Sequence, residues 1–383
     1  MKQLILLYWG CVFLMYLSQI YYPAEPRLTG RQTGKDHFLL RHADVFLALI
    51  IILMTCFSFL RTSYNDTFTY RLNFAASESV REFISAGGLW DWTGNPLSIL
   101  YRDFMHGLTD NYHIYFFFPA LLSSLAVAKL CKRHSVNPAF SLLLFFSIGT
   151  YLMYVAALKQ CIAIFFLAIA LPYAIDKKYV RFYLLVFIAI LFHTHAFMFA
   201  IVPFLLEKPW GKATWLLLGA TLFAMATYEA TLGAFMEYAQ SIGALVDEGE
   251  LFDGHSINIL RVLVYWIPAF MALLFRKRLF SNSTRAENLF VNMSIVSAFI
   301  LTIGLVQAAN LFARMAAYFE LATIIALPWM IKKLFTKRSI QLVTVSASAL
   351  YFLYFWYENA INRGFSGDYS AITLWQFIQS LFS

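Results

Sequence analysis

The sequence predicts an all-α polytopic membrane protein. The chain has 383 residues, of which 61% are hydrophobic and only 13% are charged. Soluble domains average about 45–50% apolar and about 25% charged residues, so this chain has more apolar surface than a soluble core can bury. Its apolar residues form runs of about 17–22, the length an α-helix needs to cross a bilayer. They do not form the alternating ten-residue segments of a membrane β-barrel, which excludes that class.

The apolar runs predict about twelve transmembrane helices in a single integral membrane domain, residues 1–383. Polar residues separate successive runs, as at Lys159-Gln160 and at His193-Thr194-His195. The first run lacks a strong basic region and a small-residue cleavage site, so we expect a retained helix and not a signal peptide. The predicted segments are 3–22, 43–60, 112–128, 139–157, 160–175, 181–192, 196–206, 213–230, 259–275, 289–307, 311–331 and 340–357.

Basic residues predict the orientation. Twenty of the 29 Lys and Arg residues fall in six alternate loops. By the positive-inside rule these loops are cytoplasmic, which places both termini outside. The formal charge of +8 then reflects membrane topology, and no nucleic-acid partner is predicted. The basic residues are Arg27, Arg31, Lys35, Arg41, Lys129, Lys132, Arg133, Lys177, Lys178, Arg181, Lys208, Lys212, Arg276, Lys277, Arg278, Arg285, Lys332, Lys333, Lys337 and Arg338.

The predicted outer face carries the long loops. Loop 61–111 has about fifty residues, loop 230–258 about thirty, and the tail 358–383 is also outside. Loops of this length in a compact protein are usually functional or contain elements of their own. Loop 61–111 is rich in apolar and aromatic residues between glycine-containing turns, which predicts amphipathic helices lying in the outer interface.

Asp66 and Tyr70 begin the first outer loop. They are four residues apart and therefore share one face of a helix. Asp66 is a candidate general base facing an outer cavity. The alternative, which the sequence favours, is a helix cap, because Asn65-Asp66-Thr67 is good capping sequence.

Lys159-Gln160 separates two apolar runs with almost no room for a loop. An ionisable residue in such a place usually faces a polar cavity, where an ammonium group can bind phosphate or pyrophosphate. The alternative is a lysine that extends along the helix to the interface.

His193 and His195 are two residues apart, so they cannot face one direction on a helix. A metal site from this pair alone is not expected, since helical metal pairs are three or four residues apart. One of them can shuttle a proton or donate to a phosphate oxygen. Alternatively, both are ordinary interfacial imidazoles.

Arg314 and Tyr318 form another pair four residues apart, near the predicted outer end of a late helix. A guanidinium there is costly without a partner or an anionic ligand, and its planar fork suits pyrophosphate. The alternative is a structural ion pair with Glu320 or an outer-loop acid. Arg261, at the outer start of helix nine, is a second candidate. Cations from distant parts of the chain therefore meet one predicted membrane face.

Several enzyme classes lack their signatures. The sequence contains no Walker motif, no G-x-G-x-x-G after a strand and no H-E-x-x-H. It also lacks G-x-S-x-G and an Asp-x-Asp in the first outer loop. The four cysteines, Cys11, Cys56, Cys131 and Cys161, are scattered and predict no disulfide framework. No metal or other cofactor is expected.

These residues resemble, in order and spacing, the EpsG-type, Wzy-like bacterial polysaccharide polymerases. The matching elements are Asp66 with Tyr70, Leu158-Lys159-Gln160-Cys161-Ile162-Ala163, Phe192-His193-Thr194-His195-Ala196 and Arg314-Met315-Ala316-Ala317-Tyr318-Phe319. The resemblance covers roughly residues 60–320. Two positions depart from the family pattern, which tends to have Arg at Lys159 and often an acid where this chain has Asn95, before Pro96.

The resemblance implies an enzyme of the bacterial cytoplasmic (inner) membrane. It would join undecaprenyl-pyrophosphate-linked oligosaccharide repeat units at the outer face into O-antigen, capsule or exopolysaccharide, without metal or nucleotide sugar. Lys159 and Arg314 would hold pyrophosphate, His193 would line the same cavity, and Asp66 is the candidate base. Gln160, His195, Tyr318, Tyr70 and Arg261 complete the expected substrate site. Membrane lipid, a flippase and a chain-length regulator are the implied partners.

Two other functions remain open from the sequence. A membrane O-acyltransferase that decorates polysaccharide would use His193 or His195 as a base. A transporter of lipid-linked oligosaccharide would line a path through the bilayer with polar residues. The charged residues cluster at helix ends and no repeated halves are visible, which argues against the transporter.

Overall fold

The computed structural model describes residues 1–23, 44–91, 94–228, 230, 255–362 and 365–382. It divides into two compact units. Unit 1 contains Met1–Ala200 and Lys337–Ser383, and unit 2 contains Ile201–Thr336. The single membrane domain stays a prediction, and each unit is described by itself.

Unit 1 is helical apart from one short strand pair. Its helices are α1 (Lys2–Tyr21), α2 (Val45–Phe59), α3 (Thr67–Ala75), α4 (Val80–Ser85), α5 (Pro96–His106), α6 (Tyr112–His134), α7 (Pro138–Ser147), α8 (Thr150–Ala156), α9 (Leu158–Ile175), α10 (Tyr179–Phe192), α16 (Lys337–Trp356), α17 (Phe365–Asp368) and α18 (Leu374–Ser380). A 3-10 turn covers Gly88–Trp90, and a π-helix covers Tyr357–Asn362. Strands β1 (Arg61–Ser63) and β2 (Ser370–Ala371) pair antiparallel.

Among its described residues, unit 2 has helices as its only regular secondary structure. A 3-10 helix, Thr194–Leu206, runs from unit 1 into it. Its α-helices are α11 (Lys212–Ala226), α12 (Ile259–Leu274), α13 (Arg276–Leu279), α14 (Arg285–Ile303) and α15 (Ala309–Leu334).

The predicted apolar segments all coincide with helical residues, which confirms an all-α polytopic membrane protein. Two segments differ in form: 139–157, predicted as one helix, is divided into α7 and α8, and 196–206 is a 3-10 helix. Six described helices are long and apolar enough to cross a membrane, or seven if α7 and α8 form one bent span. Five further apolar helices are shorter. The number of twelve crossings and the outside location of both termini stay predictions.

A buried charged group joins three helix ends at the predicted cytoplasmic end of unit 1. The Asp44 carboxylate caps α2 by accepting from Leu47 N at 3.0 Å, and it accepts from Ser18 Oγ at 2.6 Å. Lys132 Nζ, at the end of α6, lies 3.0 Å from Asp44 Oδ2. The ends of α1 and α6 therefore meet the start of α2, as the predicted alternation of helix directions requires.

The opposite end of unit 1 holds the first outer loop and the C-terminal tail. His113 at the start of α6 bonds the carbonyl of Phe59 at the end of α2, at 2.8 Å. A core cluster there includes Tyr70, Phe116 and Leu158, with Phe377 of the tail packed against it. The tail and loop 61–111 thus lie at one end, as predicted.

The first outer loop forms short helices, as predicted. Helices α3, α4 and α5 lie between residues 67 and 106. A capping box starts α4, where Ser79 Oγ accepts from Glu82 N and the Glu82 carboxylate accepts from Ser79 N. Most of the predicted loop 230–258 falls outside the described residues, as do Trp92 and the basic loop with Arg27.

In unit 2, a buried carboxylate holds the predicted cytoplasmic ends of α14 and α15 together. Glu287 completes a capping box with Thr284 and accepts from Trp329 Nε1 at 2.6 Å. At the other end of α14, the Gly304 carbonyl accepts from Ile257 N at 2.7 Å, next to the start of α12. Both contacts fit the predicted helix directions.

We expect Asp44→Ala to destabilise unit 1. The change removes a helix cap and leaves the Lys132 ammonium, whose side chain is only 13% exposed, without its carboxylate. Breaking one partner of a buried pair costs about 3–5 kcal/mol. Thermal unfolding in detergent measures the loss. Lys178→Ala, which removes an exposed 3.3 Å pair with Asp176, is the control and should change stability by about 0–1 kcal/mol. Equal melting temperatures for the two variants would contradict this role of Asp44.

Candidate functional site

The predicted site residues fall in both units. Asp66, Tyr70, Lys159, Gln160, His193 and His195 belong to unit 1, and Arg261, Arg314 and Tyr318 belong to unit 2. The structure brings together residues within each unit. A single pyrophosphate cavity formed by all of them stays a prediction.

Lys159 and Gln160 lie in the first turn of α9 and not in a loop. Helix α8 ends at Ala156 and α9 begins at Leu158, so Ala157 alone makes the junction. Gln160 is buried and Lys159 is half-buried. The first turn of a helix has backbone N–H groups without helical acceptors and carries the positive end of the helix dipole. The local arrangement therefore favours an anion.

The junction before α9 depends on a broken apolar stretch. Helices α7 and α8 meet at an angle of 58°. Gly149, which precedes α8, has φ +86, a left-handed conformation that glycine adopts without steric cost. The bend leaves α8 only seven residues long before the chain turns into α9.

The two histidine rings lie side by side, contrary to the expectation from their spacing. His193 ends α10 with φ −154 and ψ 111, an extended conformation, and Thr194 begins a 3-10 helix. The spacing argument assumed one continuous helix. Because His193 is extended, the ring centroids of His193 and His195 are 5.2 Å apart. Both imidazoles are half-buried and can act on one ligand.

Asn95 fixes the peptide between these histidines. Its side-chain oxygen Oδ1 accepts from Thr194 N at 2.8 Å and from Thr194 Oγ1 at 3.0 Å. Asn95 also stands before α5 with φ 60, in the left-handed region that asparagine tolerates better than most residues. In the sequence, Asn95 stands out only as a departure from a family pattern. Its long-range partner, 99 residues away, is visible only in the structure.

Asp66 precedes α3 without capping it. It occupies the N-cap position, but its side chain makes no capping hydrogen bond. The capping alternative is therefore not what the structure shows. Tyr70, one turn further, is buried in the same cluster as Leu158. The start of α9 and the buried face of α3 thus meet one core, while Asp66 itself is half-exposed.

Arg61 was missed by the sequence analysis. It directly follows the apolar helix α2 and is only 1% exposed. Its Nε donates to Thr67 Oγ1 at 3.0 Å, and its Cζ lies 4.2 Å from the centre of the Phe116 ring. Burial lowers the pKa of the guanidinium. An arginine immediately after a lipid-length apolar run is the signal that could have identified it.

In unit 2, Arg261 has an acidic partner. Its Nη2 lies 3.6 Å from Glu320 Oε1, and the Glu320 side chain is only 1% exposed. The sequence analysis had considered Glu320 as a partner for Arg314. Arg314 and Tyr318 lie one turn apart on α15, with Arg314 half-buried and Tyr318 buried.

The fold and these residues define a polytopic membrane protein with cationic and imidazole groups at the end of unit 1 that also carries the first outer loop. The family model of the EpsG family matches residues 44–370. The chain therefore belongs to the EpsG family. No curated protein and no solved structure matches it.

We expect Asn95→Gly to loosen the histidine pair. Glycine keeps the left-handed backbone available but removes both bonds to Thr194, at a cost of about 1–2 kcal/mol. Acylation of His193 and His195 by diethyl pyrocarbonate, followed by peptide mass spectrometry, should increase. Asn95→Asp keeps an oxygen acceptor and should react like the parent. Equal labelling of Asn95→Gly and the parent would show that Asn95 does not hold this segment.

Proposed function

We propose that this chain polymerises undecaprenyl-pyrophosphate-linked oligosaccharide repeat units into a surface polysaccharide at the outer face of the cytoplasmic membrane. Membership of the EpsG family supports a polysaccharide polymerase role in exopolysaccharide biosynthesis. The observation that best supports the site is the arrangement at the start of α9. Lys159 lies in the first turn of this apolar helix, and Leu158 belongs to the same core cluster as Tyr70.

The proposed reaction transfers the growing chain. A hydroxyl oxygen of the incoming repeat unit attacks the anomeric carbon of the growing chain. The new glycosidic C–O bond forms as the bond from that carbon to the pyrophosphate oxygen breaks. The hydroxyl proton passes to a protein base, and lipid pyrophosphate leaves with both bonding electrons. Neither a metal nor a nucleotide sugar takes part.

Cationic side chains stabilise the leaving group in this scheme. Charge that develops on the pyrophosphate is best met by donors already in place. Lys159, at the positive end of the α9 dipole, is assigned to this task, with Gln160 beside it. Arg314 and Tyr318, in unit 2, are assigned to pyrophosphate binding. Arg261 supports the substrate site through its pair with Glu320.

The base and the sugar contacts come from unit 1. Asp66 is assigned as the general base because its carboxylate is half-exposed at the start of α3. His193 is assigned to proton transfer with His195 beside it, since their ring centroids are 5.2 Å apart. Tyr70, one helical turn after Asp66 on α3, is assigned to substrate binding.

We expect Lys159→Ala and Arg314→Ala to abolish long chains. Each removes positive charge from the proposed leaving-group site, so repeat units should accumulate as single capped units on gels of surface polysaccharide from a complemented deletion strain. Lys159→Arg should retain polymer, because the charge is kept. Lys208→Ala, which removes an exposed lysine of a predicted cytoplasmic loop, is the control. Normal chain length in Arg314→Ala would overturn the polymerase assignment, and loss of O-acetyl groups with normal chains would identify an acyltransferase.

Asp66→Asn should slow polymerisation without unfolding the protein. The amide keeps the size of the side chain but cannot take a proton, and losing a general base lowers a rate by about 10²–10⁴-fold. Membrane vesicles supplied with lipid-linked repeat units give the rate. Asp110→Asn is the matched control in the same loop, since the Asp110 side chain is fully exposed. A rate for Asp66→Asn within twofold of the control would assign the base elsewhere.

A further inference from the structure

We propose that Arg61 binds a phosphoryl group of the lipid-linked substrate and that residues 369–372, the covering segment, close over it. This proposal rests on the proposed polymerase function for the identity of the ligand. It adds two elements to the substrate site: the cation of Arg61, which was not predicted from the sequence, and a part of the C-terminal tail.

The guanidinium of Arg61 is buried without a counter-ion. Besides its bond to Thr67, Nη1 donates to the Ser58 carbonyl at 2.5 Å. Across the described ranges, no carboxylate pairs with Arg61, and Nη2 has no hydrogen-bond partner. Buried charges in proteins are normally paired, because an isolated buried ion costs far more than a hydrogen-bonded pair. The vacant donor and the unmatched charge together specify an anionic ligand.

The surroundings of Arg61 are polar but neutral. The groups that raise the pKa of the guanidinium, against the larger lowering by burial, are Cys161, Tyr70, Tyr369 and Tyr151. Thiol and phenol groups have ordinary pKa values of about 8.5 and 10, so they supply little negative charge near neutral pH. Arginine stays protonated in proteins, so the guanidinium keeps its charge although burial lowers its pKa. The site therefore keeps a positive charge to which an anionic ligand can bind.

Arg61 lies near the start of α9. The Phe116 ring beneath the guanidinium belongs to the same core cluster as Leu158, which is adjacent to Lys159. Cys161, in the first turn of α9, is among the groups that act electrostatically on Arg61. A phosphoryl group at this helix start would meet Lys159, Arg61 and the positive end of the helix dipole. Planar guanidinium nitrogens suit two phosphoryl oxygens at once.

The covering segment pairs with the strand that begins at Arg61. In the strand pair, Ala371 lies opposite Arg61. The Tyr369 ring stacks on Phe57 with centroids 4.4 Å apart, and its hydroxyl donates to the Phe57 carbonyl at 2.6 Å. Ile372 N donates to the Leu60 carbonyl at 3.0 Å. These few contacts join segments about 310 residues apart, and a two-residue strand is short enough to open and admit a ligand.

Binding of a phosphoryl group can be measured without polymerisation. We would record thermal unfolding in detergent with inorganic pyrophosphate or with geranylgeranyl pyrophosphate as probes. The parent should be stabilised, and Arg61→Gln should need at least about tenfold more probe, a loss of about 1.4 kcal/mol. If Arg61→Gln does not fold, the same measurement is made with Arg61→Lys, which keeps the charge. Stabilisation by geranylgeranyl pyrophosphate alone would show that the ligand is a lipid phosphate. Stabilisation by both probes would show that the phosphoryl group is sufficient for binding.

Arg71→Gln is the matched control. Arg71 lies at the same end, donates to the Thr62 carbonyl at 3.2 Å and stacks over the Tyr112 ring at 4.5 Å. It should keep the parent response to both probes. Equal responses of the parent, Arg61→Gln and Arg61→Lys would overturn the Arg61 site. Lost probe binding in Arg61→Gln together with normal chain length in cells would contradict the polymerase role and leave the anion site standing.

A disulfide tests the covering segment. Thr62 Oγ1 and Ser370 Oγ are 2.7 Å apart on the paired strands. In the double variant Thr62→Cys and Ser370→Cys, oxidation should abolish stabilisation by pyrophosphate, and a reductant should restore it. Each single variant should respond like the parent under both conditions. Undiminished probe binding by the oxidised double variant would show that the segment does not close the site.

Discussion

The cost of burying charge beside hydrocarbon is the constraint on which this structure depends. A buried ion must be paired and hydrogen-bonded, because neither lipid nor apolar side chains can solvate it. The carboxylates of Asp44 and Glu320 lie beside Lys132 and Arg261, and that of Glu287 accepts from Trp329 and lies 4.0 Å from Lys333 Nζ. Asp44 and Glu287 also cap helices, so the same groups that remove a charge penalty fix where α2 and α14 begin. Asp44 and Glu287 thereby join helix ends, whereas Glu320 lies in the middle of α15 and holds that helix to Arg261 near the start of α12.

The fold was largely predictable because the apolar runs and the basic loops carry local signals. Run length alone located every predicted helix, and the turn residues in loop 61–111 located its short helices. The breaks at Lys159-Gln160 and at His193-Thr194-His195 were predicted, but the conformations of the junctions were not. The bend at Gly149, the single-residue junction at Ala157 and the extended backbone of His193 each depend on neighbouring elements. The assumption of a continuous helix is the reason that the two histidines were expected to diverge.

The candidate site was predictable only in part, for a related reason. Lys159, the histidines and Arg314 interrupt apolar sequence, and such interruptions stand out along the chain. Asn95 and Arg61 acquire their roles from partners 99 and about 310 residues away, namely Thr194 and the strand at Ala371. The position of Arg61 directly after an apolar run is a local signal of a costly charge, but it does not tell whether the side chain is buried or points to water. Long-range pairing therefore determines which of the polar residues is enclosed, and that information is absent from any window of sequence.

Enclosure has a chemical consequence for a glycosyl transferase of the proposed kind. A lipid pyrophosphate donor is reactive toward water as well as toward a sugar hydroxyl, so an open site would hydrolyse the chain that it should extend. Excluding water also strengthens the attraction between a guanidinium and a phosphoryl group, since the effective dielectric falls. A cation covered by the tail of the chain satisfies both needs with one element. The neutral phenols and thiol around Arg61 fit this logic, because a resident carboxylate would compete with the phosphoryl group for the same donors.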